Sequence, residues 1–343
     1  MTDWIKDTWN PLRGRTLRRT IIAALAGLSL LSAAPGLAQD VASYPNKPVR
    51  LIVPWPVGGA TDVMARIVAD KLSTKLGQPF VVENKPGATG YIGTQQVIQA
   101  APDGYTLLAM AASLHSFTPS VARTMPFDPV TGITPISVFV TFPSVLAVST
   151  DSPFKSVGDL IAAAKAAPGK LTFGSSGTGS AAHLIPELLA TSTGVQFLHV
   201  PYKGAAPALT DLMGGQITFV IDSIPSPLPQ IRNGRLKALA VTSAQRSAAL
   251  PDVPTIAETM PGFEASIWLG IGGPPGLPAA IANKIAGAIG EIARDPAYIA
   301  QVLALGANAA SSSSPDAFKT FMMAQRNLWE KVVTVAKIPK TDQ

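Results

Sequence analysis

Along this chain, short runs of β-branched and aromatic residues alternate with longer runs whose apolar residues recur at helical spacing. The first series predicts strands at 49–54, 80–83 and 106–110, with helices at 61–76 and 91–100 between them. In the helix at 61–76 the apolar positions include Val63, Ile67 and Leu72, and Gly77 follows its end. This βαβαβ order is typical of a mainly parallel sheet with helices on both faces.

The same alternation restarts downstream. It predicts strands at 171–174, 197–201, 217–222 and 236–242, and helices at 157–167, 181–193, 207–213 and 227–233. Strands at 136–139 and 145–149 connect the two series, and a strand at 267–272 precedes helices at 279–293, 296–305 and 315–336. We therefore predict an α/β fold of two lobes, one made of 40–140 with 266–343 and one inserted at 141–265.

The first 38 residues have the pattern of an export signal. Four arginines between positions 13 and 19 precede an apolar run at 20–31 and a small-residue stretch that ends at Ala38. The run is shorter than the roughly 20 residues that span a membrane, so we predict a signal peptide cleaved near Ala38 and a periplasmic mature protein. The pair Arg18-Arg19 leaves a twin-arginine signal open, although Leu17 stands where Ser or Thr is usual.

Removal of this segment changes the charge of the chain. Residues 1–38 hold five of the 27 basic and two of the 21 acidic residues, so the net charge falls from +6 to +3. No basic run remains that would indicate nucleic-acid binding. The chain has no cysteine, so we expect its stability to come from the core of about 300 mature residues rather than from disulfides.

Turns rich in glycine, serine and threonine follow the predicted strands, at 54–62, 85–93, 111–118, 174–180, 201–206 and 222–227. In doubly wound sheets, ligands bind beyond the carboxyl ends of the strands. We call 54–62 the first turn and 174–180 the second turn. Each precedes a predicted helix, where unpaired backbone N–H groups can hold an anion. Two such turns, far apart in sequence, predict two lobes that hold one ligand between them.

Individual residues of these turns also have structural interpretations. Thr61 or Asp62 could simply cap the helix, but the adjacent glycines let a ligand approach. We predict that the amides around 59–61 bind ligand while Asp62 shapes the loop. His183, in the first turn of the helix at 181–193, is either structural or next to the ligand, and His115 and His199 are weaker candidates.

Three further residues lie at strand ends. Trp55 and Trp268 are either core aromatics or a cover for an apolar or planar ligand body. Asp222 is either a cap or an acceptor for a ligand donor.

Other chemistries have weaker support. Residues 177–182 match G-x-G-x-x-A, but no acidic residue closes the following strand, which disfavours a dinucleotide. No metal-binding motif and no complete G-x-S-x-G occur. A serine–histidine pair such as Ser176 with His183 would favour an exported hydrolase.

The series of loops resembles the Bug-type extracytoplasmic solute receptors of tripartite tricarboxylate transporters. The matching segments run in order along the mature chain: 44–50 (YPNKPVR), 58–62 (GGATD), 82–87 (VENKPG), 101–107 (APDGYTL), 174–177 (GSSG), 200–204 (VPYKG) and 250–255 (LPDVPT). The resemblance implies a periplasmic Venus-flytrap protein that holds small carboxylates on the first and second turns. Trp55, Tyr91 and Thr118 depart from the usual residues of the family, so ligand identity does not transfer.

The sequence therefore predicts a receptor that captures a small organic carboxylate and delivers it to integral membrane subunits. An exported hydrolase or a ligand-presenting sensor subunit are the alternatives. We expect a monomer without cofactor, metal, catalytic residues or nucleic acid. The predicted ligand-binding residues are Trp55, Gly58, Gly59, Ala60, Thr61, Asp62, Gly90, Tyr91, Ser113, Ser176, Gly177, Thr178, Gly179, Ser180, His183, Tyr202 and Asp222.

Overall fold

The computed structural model describes residues 43–87 and 90–342, and the predicted signal peptide lies outside them. The strands are β1 (Val49–Val53), β2 (Phe80–Asn84), β3 (Thr106–Ala111), β4 (Thr134–Ser149), β5 (Thr172–Ser175), β6 (Leu198–Pro201), β7 (Phe219–Ser223), β8 (Leu236–Val241), β9 (Ser266–Gly273) and β10 (Asn308–Ala309).

The helices are α1 (Ala60–Leu76), α2 (Tyr91–Ile98), α3 (Thr118–Val121), α4 (Val157–Ala166), α5 (Ala181–Thr193), α6 (Ala205–Met213), α7 (Leu228–Arg232), α8 (Ile256–Thr259), α9 (Ala279–Ile292), α10 (Pro296–Ala304) and α11 (Pro315–Val335). A π-helix, Ser113–Phe117, lies between β3 and α3. Apart from the strands expected at 136–139 and 145–149, each predicted element is present with its ends shifted by at most two residues.

The strands pair in the order β2-β1-β3-β9-β4-β7-β5-β6, with β8 and β10 also paired to β4. Pairing is parallel where we expected it, between β1 and its neighbours β2 and β3, and between β5 and its neighbours β6 and β7. The central strands β9 and β4 pair antiparallel to their neighbours, so the whole sheet is mixed. We call β2-β1-β3-β9 the first half-sheet and β7-β5-β6 with β8 the second half-sheet.

One long strand, β4, joins the two half-sheets and replaces the two short strands that the sequence predicts. Its residues up to Pro143 pair with β9, and its residues from Ser144 pair with β7 and β8. Proline is rare within central strands because it has no N–H to donate, and Pro143 lies in the gap between the two predicted strands. Here Pro143 lies at the point where the strand changes partners.

Glycines end the two helices that follow the first and second turns. Gly77 closes α1 with φ of 72°, and Gly194 closes α5 with φ of 68°, conformations that side chains with a Cβ disfavour. Both helix ends were predictable from sequence for this reason.

A continuous apolar core connects the half-sheets through the C-terminal helix. Phe173 and Phe219 of the second half-sheet belong to the same cluster as Trp268 of β9 and Phe318 and Trp329 of α11. Helix α11 packs against α5, α3 and the π-helix, so it contacts elements that follow both half-sheets. No helix within the described ranges is both long enough and apolar enough to cross a membrane.

Candidate functional site

The registers of the sheet bring the carboxyl ends of both half-sheets to the middle of β4. Ala111, the last residue of β3, pairs with Leu269, which in turn pairs with Val140. From the opposite direction, Ser223 at the end of β7 pairs with Ser144. Val140 and Ser144 are separated by roughly 13 Å of strand. The turns that follow the parallel strands therefore approach this region from two sides.

The first turn ends in a helix start without a side-chain cap. Gly59 is the N-cap of α1, with φ of −72° and no side-chain hydrogen bond. Within residues 43–87 and 90–342, the N–H groups of Gly59, Ala60 and Thr61 donate to no protein acceptor. Gly59 and Ala60 are exposed and Thr61 is half-buried. These amides and the positive end of the α1 dipole can hold a carboxylate.

Asp62 shapes this turn, as we expected from sequence. Its side chain is 2% exposed and accepts hydrogen bonds from Gly58 N (2.9 Å), Asn84 Nδ2 (2.8 Å) and Arg66 Nε (3.2 Å). Asn84 Nδ2 also donates to Trp55 O at 3.1 Å. Burial alone would raise the pKa of Asp62, but the bonds from Arg66, Gly58 and Asn84 outweigh it and lower the pKa. The Gly58 amide is thereby occupied within the protein.

The second turn uses several of its own amides internally. Gly177 N donates to Ser175 Oγ (3.1 Å), Gly179 N to His183 Nδ1 (3.0 Å), and Ser180 N to Gly177 O (3.2 Å). The Ser180 hydroxyl donates to Gly177 O at 2.7 Å. Three amides that we expected to be open are therefore engaged.

The donors left open in the second turn are the backbone N–H and hydroxyl groups of Ser176 and Thr178, which have no protein partner within the described ranges. Thr178 is exposed and Ser176 is half-buried. Gly179 has φ of 80°, and a Cβ placed there would lie 2.7 Å from Val121 Cγ2 of α3. The second turn thus lies directly against an element that follows the first half-sheet.

His183 is buried behind the second turn rather than open to a ligand. Its ring stacks on His199, with centroids 3.8 Å apart and planes at 13°. His199 Nε2 lies 2.6 Å from Ser175 Oγ. Burial, with a smaller contribution from His199, lowers the pKa of His183 to about 4, and burial lowers the pKa of His199 to about 4. Both imidazoles are therefore neutral at pH 7.

Glu187 lies one helical turn beyond His183, with Oε1 4.0 Å from His183 Nε2, and its side chain is 18% exposed. Burial raises the pKa of Glu187 to about 7. A raised pKa means that the folded state binds the proton more tightly than the unfolded state. The stabilisation that protonated Glu187 gives the folded state is therefore complete below the pKa of this residue in the unfolded chain. It is lost as the pH rises through about 7, the pKa in the folded state.

We expect Glu187→Gln to raise the free energy of unfolding at pH 8 by roughly 1–3 kcal/mol, because no buried carboxylate then has to ionise. At pH 4.5 the gain should disappear. Denaturant unfolding at both pH values measures this difference, with Glu264→Gln as the control because Glu264 is exposed. An equal gain at both pH values would show that the ionisation of Glu187 is not its cause.

Several predicted residues gather around Gly90. A Cβ on Gly90 would lie 3.3 Å from Leu114 Cδ2 and 3.5 Å from Trp55 Cζ2, and the φ of Gly90 is 98°. Trp55 and Tyr91 are half-buried. Ser113 is exposed at the start of the π-helix. Gly90 therefore lies close to both Trp55 and the π-helix, next to the first turn.

The Tyr202 hydroxyl donates to Asp211 Oδ2 at 2.7 Å, and the ring packs on the cluster that includes Leu209 and Leu212. Burial raises its pKa to about 12, with help from Asp211. Asp222 Oδ1 accepts from Ser223 N at 2.7 Å. Burial raises the pKa of Asp222 more than its hydrogen bonds lower it. Both side chains already have protein partners.

Of the two interpretations of Trp268, the structure supports the core aromatic. Its side chain is 0% exposed and packs against Phe318, Phe321 and His115 in the core. The position of Trp268 along β9 does lie at the carboxyl end of β3, but the indole packs on Phe318 and Phe321 of α11, a contact that a position in the sequence does not reveal. His115 is likewise fully buried, with Nδ1 2.9 Å from Pro129 O.

Ser175 and His199 are hydrogen-bonded through their side chains, but this pair does not resemble a nucleophile and its base. Ser175 is 1% exposed, and its Oγ already contacts the backbone of Gly177 as well as His199. The pair that we considered for a hydrolase, Ser176 with His183, is not hydrogen-bonded, because His183 Nδ1 accepts from Gly179. Among the described residues no acidic, histidine or cysteine cluster could hold a metal ion.

Sequence reasoning missed the supports of the site. Three residues contact the turns without belonging to them: Asn84, Val121 and His199. Asn84 had a signal in the segment 82–87 that matched the family, and His199 had been a weaker candidate beside the ligand, but Val121 had none. The π-helix had none, although such helices often occur at functional sites.

Comparisons with known proteins show the family to which this chain belongs. The sequence profile described as "Tripartite tricarboxylate transporter family receptor" matches residues 64–337. The chain is 38% identical to protein BugT of Bordetella pertussis over 313 residues, which cover 90% of this chain and 96% of that protein.

Two solved structures are also similar. One is Rpa4515 of R. palustris with adipate, at 37% identity and a TM-score of 0.71, covering 86% of this chain and 99% of that chain. The other is MatC of Rhodopseudomonas palustris with bound malate, at 28% identity and a TM-score of 0.66, covering 84% and 100%. These matches confirm the predicted two-lobed α/β fold. The chain therefore belongs to the receptors of the tripartite tricarboxylate transporter family and is a solute-binding receptor rather than an enzyme.

Proposed function

We propose that this receptor captures a small organic carboxylate between its lobes in the periplasm and delivers it to the integral membrane subunits of a tripartite tricarboxylate-type transporter. The observation that carries the proposal is the row of open N–H groups at Gly59, Ala60 and Thr61. They belong to a turn that follows a strand of the first half-sheet, on the side where the strand ends of both half-sheets converge. Charge-assisted hydrogen bonds to such amides contribute about 1.5–3 kcal/mol each.

The second turn supplies the opposing contacts. The open donors of Ser176 and Thr178 can bind the other end of the same solute, while Ser180, Gly177 and Gly179 hold the turn in shape. A ligand held from both sides stabilises the closed arrangement of the lobes, which membrane subunits can recognise. We place the lobes at 40–140 with 266–343 and at 141–265, which is supported by the change of partners in β4 between Pro143 and Ser144.

Exposed apolar side chains lie near the first turn in sequence, and the loops at 85–93 and 201–206 each carry an exposed lysine, Lys85 and Lys203. Val57 is 71% exposed and Ile92 is 57% exposed, close in sequence to Trp55 and Tyr91. Arg66, the basic residue beside the first turn, is engaged by Asp62 and Asn84. A carboxylate with an apolar body suits these surroundings. We therefore choose adipate, which a relative binds, as the first probe.

Gly59→Leu is expected to abolish adipate binding to the mature protein without unfolding it. The φ of Gly59 suits any residue, and a Cβ there would be 3.7 Å from its nearest neighbour, Pro56 O, so the fold accepts a side chain. A leucine would cover the open amides. Calorimetry measures binding and thermal unfolding measures stability.

The matched control is Gly287→Leu, because Gly287 is an exposed glycine of α9 with nothing within 4 Å of its Cβ position. Should Gly59→Leu bind adipate as tightly as the control does, the first turn is not the carboxylate site. If adipate binds neither protein, a thermal-shift screen of other carboxylates identifies the probe for the same comparison.

A further inference from the structure

The second turn is held from behind by two stacked histidines. His183 Nδ1 accepts the N–H of Gly179 at 3.0 Å, and His199 Nε2 lies 2.6 Å from Ser175 Oγ. Ser175 Oγ also contacts both the N–H (3.1 Å) and the carbonyl (3.2 Å) of Gly177. The histidines thus reach the backbone at the two glycines on either side of Thr178.

We propose that His183 and His199 are positioning residues that keep the second turn in its ligand-binding shape only while both imidazoles are neutral. The proposal rests on the proposed function, because it assumes that Ser176 and Thr178 bind the solute. A protonated His183 would carry a hydrogen on Nδ1, opposite the N–H of Gly179, and the two donors would repel each other. The hydrogen bond that holds Gly179 would then be lost.

The surroundings of the pair offer little to stabilise a positive charge. Phe173 stacks on His199 at 4.9 Å and lies 6.2 Å from the His183 ring. The core packed around α5 from β7 and α11 is apolar, and includes Phe219 and Trp329. Apart from the pair itself, the ionisable group facing it in the described ranges is Glu187, with Oε1 4.0 Å from His183 Nε2. Two imidazoles stacked at 3.8 Å cannot both be charged without strong repulsion.

The proposal predicts that a lower pH weakens solute binding for two reasons. The two histidines of the protein become protonated, and so do the carboxylates of the solute. Burial lowers the pKa of both histidines to about 4, so protonation begins as the pH falls below neutral and becomes extensive near pH 4. Loss of the Gly179 hydrogen bond should cost about tenfold in affinity.

The test compares the wild type with the double variant His183→Gln/His199→Gln, using adipate and calorimetry from about pH 7.5 to about pH 3.5, so that the range passes through the histidine pKa of about 4. A glutamine amide can accept the N–H of Gly179 but does not titrate in this range. The carboxyl groups of adipate titrate equally in both experiments, so their effect cancels in the ratio of affinities. We expect affinities within about threefold of each other at pH 7.5 and about tenfold weaker binding by the wild type at about pH 3.5, where most of the histidine side chains carry the proton. Equal losses in the two proteins, both still folded by circular dichroism, would overturn the proposal.

A measurement without ligand separates this proposal from the proposed function. In the wild type, the nitrogen-15 shift of the Gly179 amide should follow the protonation of His183, and in the double variant it should not change over the same range. A Gly179 shift that is constant with pH in the wild type would overturn the positioning role. A shift that titrates while adipate affinity stays the same would instead show that the second turn does not bind the solute.

Discussion

Asp62→Ala is expected to destabilise the protein by about 2–4 kcal/mol and to weaken adipate binding by about tenfold or more. The carboxylate is buried and accepts from Gly58 N, Asn84 Nδ2 and Arg66. Alanine leaves these donors without an acceptor, and the turn that presents the open amides loses its support. Denaturant unfolding and calorimetry with adipate measure the two effects.

Two further variants show whether the loss comes from these contacts. Asp62→Asn keeps one side-chain acceptor, so its stability and affinity should fall between those of the wild type and alanine. Asp70→Ala is the control, because Asp70 is an exposed acid on the same helix and should change neither quantity. If Asp62→Ala unfolds at the same denaturant concentration as Asp70→Ala, the network around Asp62 does not hold the turn.

The same network predicts how acid acts on the first turn. The folded pKa of Asp62 lies below its ordinary value, so the stabilisation is complete above the unfolded pKa and is lost as the pH falls through the folded pKa. Glu187 acts in the opposite direction, since its folded pKa is raised to about 7. The free energy of unfolding should therefore lose the contribution of Asp62 at low pH and that of Glu187 at high pH, so a pH series separates the two residues.

Local pattern predicted the elements that place the site. Helices α1 and α5 could be read from their apolar spacing and from Gly77 and Gly194, because both signals depend on residues close in sequence. The continuity of β4 could not be predicted, because Pro143 interrupts the local pattern. The strand continues through Pro143 because its pairing partner changes there from β9 to β7. Helix ends depend on residues that are close in sequence, whereas strand pairing depends on residues that are far apart in sequence.

Within the candidate site, the sequence indicated which turns matter but not which donors are open. Gly177 and Gly179 are glycines in a loop before a helix, as Gly59 is, yet their amides are used by Ser175 and His183. For Gly179 the difference depends on His183, which reaches the turn from α5, and for Gly177 it depends on the orientation of the Ser175 side chain within the turn. Neither contact can be read from the sequence of the turn. The role of His183 changed for the same reason, from a residue beside the ligand to a support behind the turn.

Gly179→Ala is expected to weaken adipate binding by about tenfold or more and to lower the stability of the protein, because the position has two separate constraints. With φ of 80°, an added Cβ costs roughly 1–2 kcal/mol of backbone strain. The same Cβ would lie 2.7 Å from Val121 Cγ2, a distance that forces α3 and the second turn apart. Since this contact joins elements that follow opposite half-sheets, the variant should disfavour the arrangement that encloses the solute.

Gly194→Ala and Val121→Ala separate the two constraints. Gly194, at the other end of α5, has φ of 68° and nothing within 4 Å of its Cβ position, so alanine there measures the backbone strain alone. Gly179→Ala should therefore cost more than Gly194→Ala, and adding Val121→Ala should remove the excess while leaving the strain. If Gly179→Ala and Gly194→Ala cost the same, and both bind adipate like the wild type, the close approach of the second turn to α3 contributes nothing to enclosing the solute.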